Sequence, residues 1–144
     1  EPGEACALNA GYLLTTVLDT VKNKDTQIAI LDASAACHMP DVIEMPYLPP
    51  VLGAEAVRCA DGRTWRLAGP TCLAGDVIGD YRFATEIHPG DRLLFGDMAI
   101  YTTCKNNTFN GMPLPAIRVY REDGTCEELV HFGYEDFKAR LGRI

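Results

Sequence analysis

Gly69-Pro70-Thr71-Cys72-Leu73-Ala74-Gly75-Asp76 is the stretch on which the reading of this chain turns. Two glycines and a proline confine one cysteine to a tight turn, and a carboxylate follows it four residues later. Proline sets one backbone dihedral and glycine lets the chain approach a neighbour closely. The turn is therefore shaped to bring a thiol and bare backbone up to something. A strand-like run, Arg63 to Ala68, leads into it, and Asp61-Gly62 precedes that run as a two-residue hairpin signal.

Working outward, the punctuation is that of an all-β domain. Ala5 to Val21 reads as a long strand or strand pair, Asn23-Lys24-Asp25 as a turn, and Gln27 to Asp32 as a buried strand. Pro40, Pro46, Pro49 and Pro50 break regular structure, so 37–50 reads as a loop with one helical turn. Val51 to Ala60 pairs with Arg63 to Ala68 across Asp61-Gly62. Ala84 to Ile87 runs into the turn His88-Pro89-Gly90-Asp91, followed by strand-like Arg92 to Phe95 and Met98 to Thr103. Asn106 to Pro115 is a surface loop. Ala116 to Glu122 and Thr125 to Phe132 flank a second hairpin signal, Asp123-Gly124. In Tyr134 to Leu141, acidic residues come early and basic ones late, which suits a short terminal helix. Seven or eight short strands and one helix imply a sandwich or a barrel, and the strand pattern alone leaves that choice open.

The chain has 144 residues, enough for one domain with a core, and 47% of them are apolar. The net charge of -7 argues against a nucleic-acid surface. It suits a cationic small molecule. No apolar run approaches the roughly 20 residues of a membrane helix. The opening Glu-Pro-Gly-Glu is unlike a signal peptide, so a cytoplasmic protein is expected. The six cysteines show no C-x2-C spacing, and reduced thiols are expected. Cys6, Cys59, Cys104 and Cys126 lie among strand-like residues and read as small buried apolar groups. No metal is expected, because His, Asp and Glu do not cluster at ligand spacing.

Four motifs carry a resemblance. They are Glu1-Pro2-Gly3, then Cys37-His38-Met39-Pro40-Asp41-Val42-Ile43-Glu44-Met45-Pro46-Tyr47, then the Cys72 turn, then Gly96-Asp97-Met98-Ala99-Ile100-Tyr101-Thr102. In this order they resemble the C-terminal part of the pyridoxal-phosphate decarboxylases of the alanine-racemase-like fold type. Among these, the pattern is most similar to the carboxynorspermidine (carboxyspermidine) decarboxylases.

The resemblance implies a mainly β fold, a Greek-key β-barrel with a short C-terminal helix. It makes residues 1–144 the C-terminal domain of a longer homodimeric enzyme. The N-terminal (β/α)8 barrel, with the cofactor-bonded lysine and the phosphate loop, would lie outside this chain. Lys22, Lys24, Lys105 and Lys138 do not match that lysine, so the fragment alone is expected to be inactive. The implied cofactor is pyridoxal 5'-phosphate, contacted by Glu1 at its ring nitrogen and by Gly3 and Tyr101. Cys72 is the implied catalytic proton donor, acting in the partner subunit's site.

Departures from the relatives bear on substrate. The relatives have an arginine after Glu-Pro-Gly, where this chain has Glu4. The diaminopimelate enzymes use an arginine near the position of Glu44. A carboxylate there favours a distal ammonium and repels a distal carboxylate. Leu73 replaces an acidic residue and would line a slot for a methylene chain. Asp76 matches an aspartate of the diaminopimelate enzymes, and His38 is a further candidate substrate contact. The substrate so implied is a carboxylated triamine, decarboxylated to norspermidine or spermidine. Two alternatives are another decarboxylase of the same fold type and a non-catalytic β-barrel binding module with an inert Cys72.

Overall fold

A computed structural model describes residues 2–58 and 61–142. A single 3-10 turn, Glu4–Cys6, precedes β1 (Leu13–Asn23) and β2 (Thr26–Leu31). Two one-turn helices follow, α1 (Ala35–His38) and α2 (Asp41–Glu44). Then come β3 (Ala54–Ala56), β4 (Thr64–Ala68), β5 (Val77–Phe83) and β6 (Arg92–Phe95). The chain continues through α3 (Thr102–Lys105), a 3-10 turn (Phe109–Gly111), β7 (Ile117–Tyr120), β8 (Cys126–Val130) and α4 (Tyr134–Arg140). Among the described residues no helix is long and apolar enough to cross a membrane.

Six strands form one sheet in the order β3-β5-β4-β2-β1-β6. Neighbours are antiparallel except β2 and β4, which run parallel. The sheet curls until Val51 pairs with Phe95 of β6 while β3, a few residues on, pairs with β5. Leu52 N–H donates to Leu94 O at 2.9 Å and Gly96 N–H to Pro50 O at 2.8 Å. One short segment thus bonds to both edges of the sheet and closes it into the expected barrel-like form. Alternate residues of β1 and β4 turn inward. They meet Leu31, Ile78, Tyr81 and Phe95 in the core. The Tyr81 hydroxyl reaches Pro49 O at 2.8 Å, which satisfies the one polar atom this large side chain takes inside.

Several local expectations change. The Asp61-Gly62 turn forms, but it does not join β3 to β4: β5, unread in the sequence, inserts between them. Arg82 of β5 holds Glu55 on one side at 3.1 Å and Asp61 on the other at 2.8 Å. Residues before Leu13 are not strand, because Asn9 takes a left-handed conformation and its N–H goes to Asp97 Oδ1 at 3.0 Å. Met98 to Thr103 is a bend and a helix start, with Asp97 and Tyr101 both at positive φ. The second hairpin and the terminal helix form as expected. Gly133 N–H donates to Asp136 Oδ2 at 2.7 Å to cap that helix. β7 and β8 make a separate two-stranded sheet.

The cysteines also differ from expectation. Among the described residues no disulfide forms, and only Cys37 is buried. Cys6, Cys104 and Cys126 are exposed, since they sit on a 3-10 turn, a short surface helix and a hairpin with open faces. Cys59 lies outside the described residues.

Candidate functional site

The polar framework centres on α1, four residues long. Ser34 caps it, its Oγ accepting from Cys37 N–H at 3.2 Å. The Ser34 hydroxyl in turn donates to Asp76 Oδ1 at 2.9 Å. Ala35 N–H reaches the same oxygen at 2.7 Å and Ala36 N–H at 3.4 Å. The other oxygen, Oδ2, accepts from Thr71 Oγ1 at 2.7 Å and Thr71 N–H at 3.3 Å. Asp76 is buried, and both its oxygens are taken up inside the chain. The loop 69–76 is closed further by Gly69 N–H to Asp76 O at 2.9 Å. Gly69 is required: a Cβ there would lie 2.2 Å from Asp76 Oδ2. Cys72 and Leu73 are left exposed at the loop tip.

The far end of α1 fastens the segment that follows α3. His38 is buried; its Nδ1 accepts from Ser34 N–H at 3.0 Å, so the opposite nitrogen, Nε2, carries the proton and donates to Pro113 O at 2.9 Å. Asn107 donates twice, from N–H to Cys37 O at 3.0 Å and from Nδ2 to Ala36 O at 2.8 Å. The Cys37 thiol reaches Phe109 O at 3.4 Å, and Arg140 of α4 donates to Thr108 Oγ1 at 2.9 Å. The loop so pinned places Asn110, at φ 61, with its Oδ1 3.5 Å from Cys72 Sγ.

Burial lowers the pKa of His38 from the ordinary value, against the raising effects of the Pro113 carbonyl, Asp32 and Asp76. The neutral ring is therefore the folded form. Unfolded histidine takes up its proton near pH 6.5, before the folded ring does. Its contribution is fully present above that pH and is lost as pH falls toward the lower folded value. Urea unfolding of the protein is expected to show a stability decline between pH 7 and 5 that is shallower in His38→Asn. Equal slopes in the two proteins would remove His38 from the explanation.

A second cluster surrounds Tyr101. The Tyr101 hydroxyl is 3.7 Å from where a Cβ on Gly3 would sit. Lys105, one turn on, donates its backbone N–H to Tyr101 O at 2.8 Å and sets its ammonium 5.6 Å from the Tyr101 ring centre. The same ammonium binds Asp41 and, at 3.1 Å, Glu44. Hydrogen bonds to Asp41 and then Glu44 raise the Lys105 pKa further above its ordinary range. Two carboxylates share one cation, which leaves one negative charge in excess, on the side of the exposed Glu44.

The structure thus unites Gly3, Tyr101 and Glu44 in one cluster, and places Cys72 with Leu73 on a separate loop. Asp76 and His38 hold that loop and its neighbour from within. Glu1 lies outside the described residues. Lys105 and Asn110 went unread as site residues. Lys105 follows Tyr101 by four, a spacing that signals contact on a helix but not on the strand expected there. Asn110 carries only the loop signal of Asn-Gly.

The curled sheet thus carries an exposed thiol, Cys72, and an exposed tyrosine, Tyr101, on its connecting segments. Residues 7–99 match the family model described as the C-terminal sheet domain of pyridoxal-dependent decarboxylases, and the chain belongs to that family. Within it, the chain is 48% identical over 142 residues to the carboxyaminopropylagmatine decarboxylase of Synechocystis, covering 99% of this chain and 36% of that protein. It is 39% identical over 150 residues to the carboxynorspermidine/carboxyspermidine decarboxylase of Campylobacter jejuni, covering 97% of this chain and 39% of that protein. The crystal structure of carboxynorspermidine decarboxylase complexed with norspermidine, from Campylobacter jejuni, superposes with a TM-score of 0.89 at 38% identity. That match covers 96% of this chain and 40% of the other. The chain therefore spans well under half the length of these relatives.

The residues present suit the family's cofactor. Tyr101 is 48% exposed and offers both a hydroxyl and a ring face. Beside it stands Gly3, which has no side chain to obstruct a planar pyridine.

Proposed function

We propose that this chain is the C-terminal domain of a longer, homodimeric, pyridoxal-phosphate-dependent decarboxylase. Its substrates are carboxynorspermidine and carboxyspermidine, its products norspermidine and spermidine, and its location the cytoplasm. The observation that carries the reading is the match, at a TM-score of 0.89, to an enzyme complexed with norspermidine. When bound, pyridoxal phosphate supplies an electron sink for the bond that releases carbon dioxide. Tyr101 and Gly3 would hold it from this side, with Glu1 at its ring nitrogen.

Cys72 keeps a movable proton at Sγ, on a loop fixed from behind, and delivers it to the reacting carbon in the neighbouring subunit's site. Glu44 supplies the charge that draws the far ammonium of the polyamine, and Lys105 holds Glu44 in place. Leu73 offers an apolar wall to the methylene chain. Asp76 and His38 serve indirectly, by fixing the loops that carry Cys72 and Asn110.

A second reading replaces these substrates with carboxyaminopropylagmatine, and the 48% identity to the Synechocystis protein favours it. Carbon dioxide release by the full-length enzyme separates the readings. Turnover is expected with carboxynorspermidine and carboxyspermidine and not with diaminopimelate or ornithine, and turnover of carboxyaminopropylagmatine alone would establish the second reading. No turnover of any of them would leave a non-catalytic barrel. Glu44→Gln removes the charge at constant shape and is expected to raise KM for the polyamine about tenfold with kcat held. An unchanged KM would show that this carboxylate does not meet the substrate.

A further inference from the structure

We infer that Asn110 is a positioning residue for the Cys72 thiol: its Oδ1 accepts a hydrogen bond from the S–H group and fixes the orientation of the thiol at the loop tip. The inference rests on the assignment of Cys72 as proton donor. It is carried by geometry on two loops that share one anchor.

Cys72 Sγ lies 3.5 Å from Asn110 Oδ1, within reach of a thiol donor. Neither loop is free to drift from this contact. The thiol loop is bound to the N-terminal end of α1 through the five hydrogen bonds of Asp76. The Asn110 loop is bound to the rest of α1 through Asn107, the Cys37 thiol and His38. A separation set from both sides of one buried helix is a built contact. The backbone adds to this. Asn110 sits at φ 61, a conformation that asparagine tolerates better than most residues, next to Gly111 at φ 77. The chain turns left-handed here, with the side-chain amide against the sulfur.

An acceptor oxygen at this distance gives the S–H bond a direction. A protonated thiol is the form that can give a proton to a carbanion and take one back from solvent. The amide has no titration of its own in the working range, so it orients the thiol without competing for the proton.

The test uses full-length enzyme and iodoacetamide, with alkylation at Cys72 read by mass spectrometry apart from the other exposed thiols. Asn110→Asp and Asn110→Gly both accept the left-handed backbone, so folding is preserved. A carboxylate beside the sulfur opposes the thiolate, and Asn110→Asp is expected to slow alkylation at pH 7.5 about tenfold. Removing the acceptor with Asn110→Gly is expected to speed it several-fold. In both, kcat for decarboxylation falls with KM unchanged. Alkylation rates equal to wild type in both variants would overturn the inference. Slower alkylation in Asn110→Gly would also overturn it, by showing that the amide nitrogen faces the sulfur. Full turnover by Cys72→Ala, with the Asn110→Asp rate still shifted, would remove the proton-donor assignment and leave the contact standing.

Discussion

Replacing Cys72 by alanine in the full-length enzyme is expected to lower kcat for polyamine decarboxylation by about 10²- to 10⁴-fold, the usual worth of a positioned general acid. KM should stay near its wild-type value. The split follows from where the residue stands. Cys72 is exposed, and its loop is held by Asp76, Thr71 and Gly69 rather than by the sulfur. Alanine therefore deletes a proton and leaves the loop in place. A stopped assay for carbon dioxide over a range of substrate concentrations separates the two constants. A sharper form of the test mixes subunits. If Tyr101 serves its own subunit's cofactor and Cys72 the neighbour's, Cys72→Ala and Tyr101→Ala subunits together rebuild one intact site per mixed dimer. About a quarter of wild-type activity should return on mixing. No recovery would place both residues in one site.

The second large effect is on stability. Asp76→Ala is expected to cost about 3 kcal/mol, because it strands buried donors on Ser34 and Ala35 and half-buried ones on Ala36 and Thr71. Asp76→Asn should cost nearly as much. Both carboxylate oxygens accept hydrogen bonds, and an amide would turn its NH2 toward donors on one side. Urea unfolding gives the size of the loss. Amide exchange at Ala35 and Ala36 should quicken in both variants, since the helix start depends on that carboxylate. A cost below about 1 kcal/mol would mean that water can take over the role of the side chain.

Much of the β framework was legible from residues. Turns at Asn23-Lys24-Asp25 and Asp123-Gly124, and the strands β2, β4, β6 and β8, follow from local chemistry that the structure keeps. Strand partnership was not legible. The Asp61-Gly62 turn suggested a hairpin, yet β4 pairs with β2 and β5, because hydrogen bonding across a curled sheet is decided by closure and not by chain order. β5 itself was hidden: Gly79 and Asp80 interrupt its apolar pattern, and Asp80 is there to bind Arg66 at 2.8 Å on the next strand. The resemblance named Gly3 and Tyr101 as cofactor contacts and Glu44 as a substrate contact, and the fold brings the three into one cluster. The cation that ties Glu44 to Tyr101 was missed, because Lys105 reaches them only through a helix that the apolar run at Met98 to Ile100 disguised as a strand.

The segment Val51 to Ala56 emerges during synthesis before either strand it joins, since β5 ends at Phe83 and β6 at Phe95. No local contact can reward it early. The closed sheet can form only once the chain has been made as far as residue 95, and the parallel pairing of β2 with β4 adds a further pair of distant partners. Folding of this domain is therefore a late, collective event dominated by non-local contacts, and a slow one for its size. Until then the edges of β1 and β4 stand open, which makes the nascent chain, rather than the finished protein, the state most exposed to association with copies of itself.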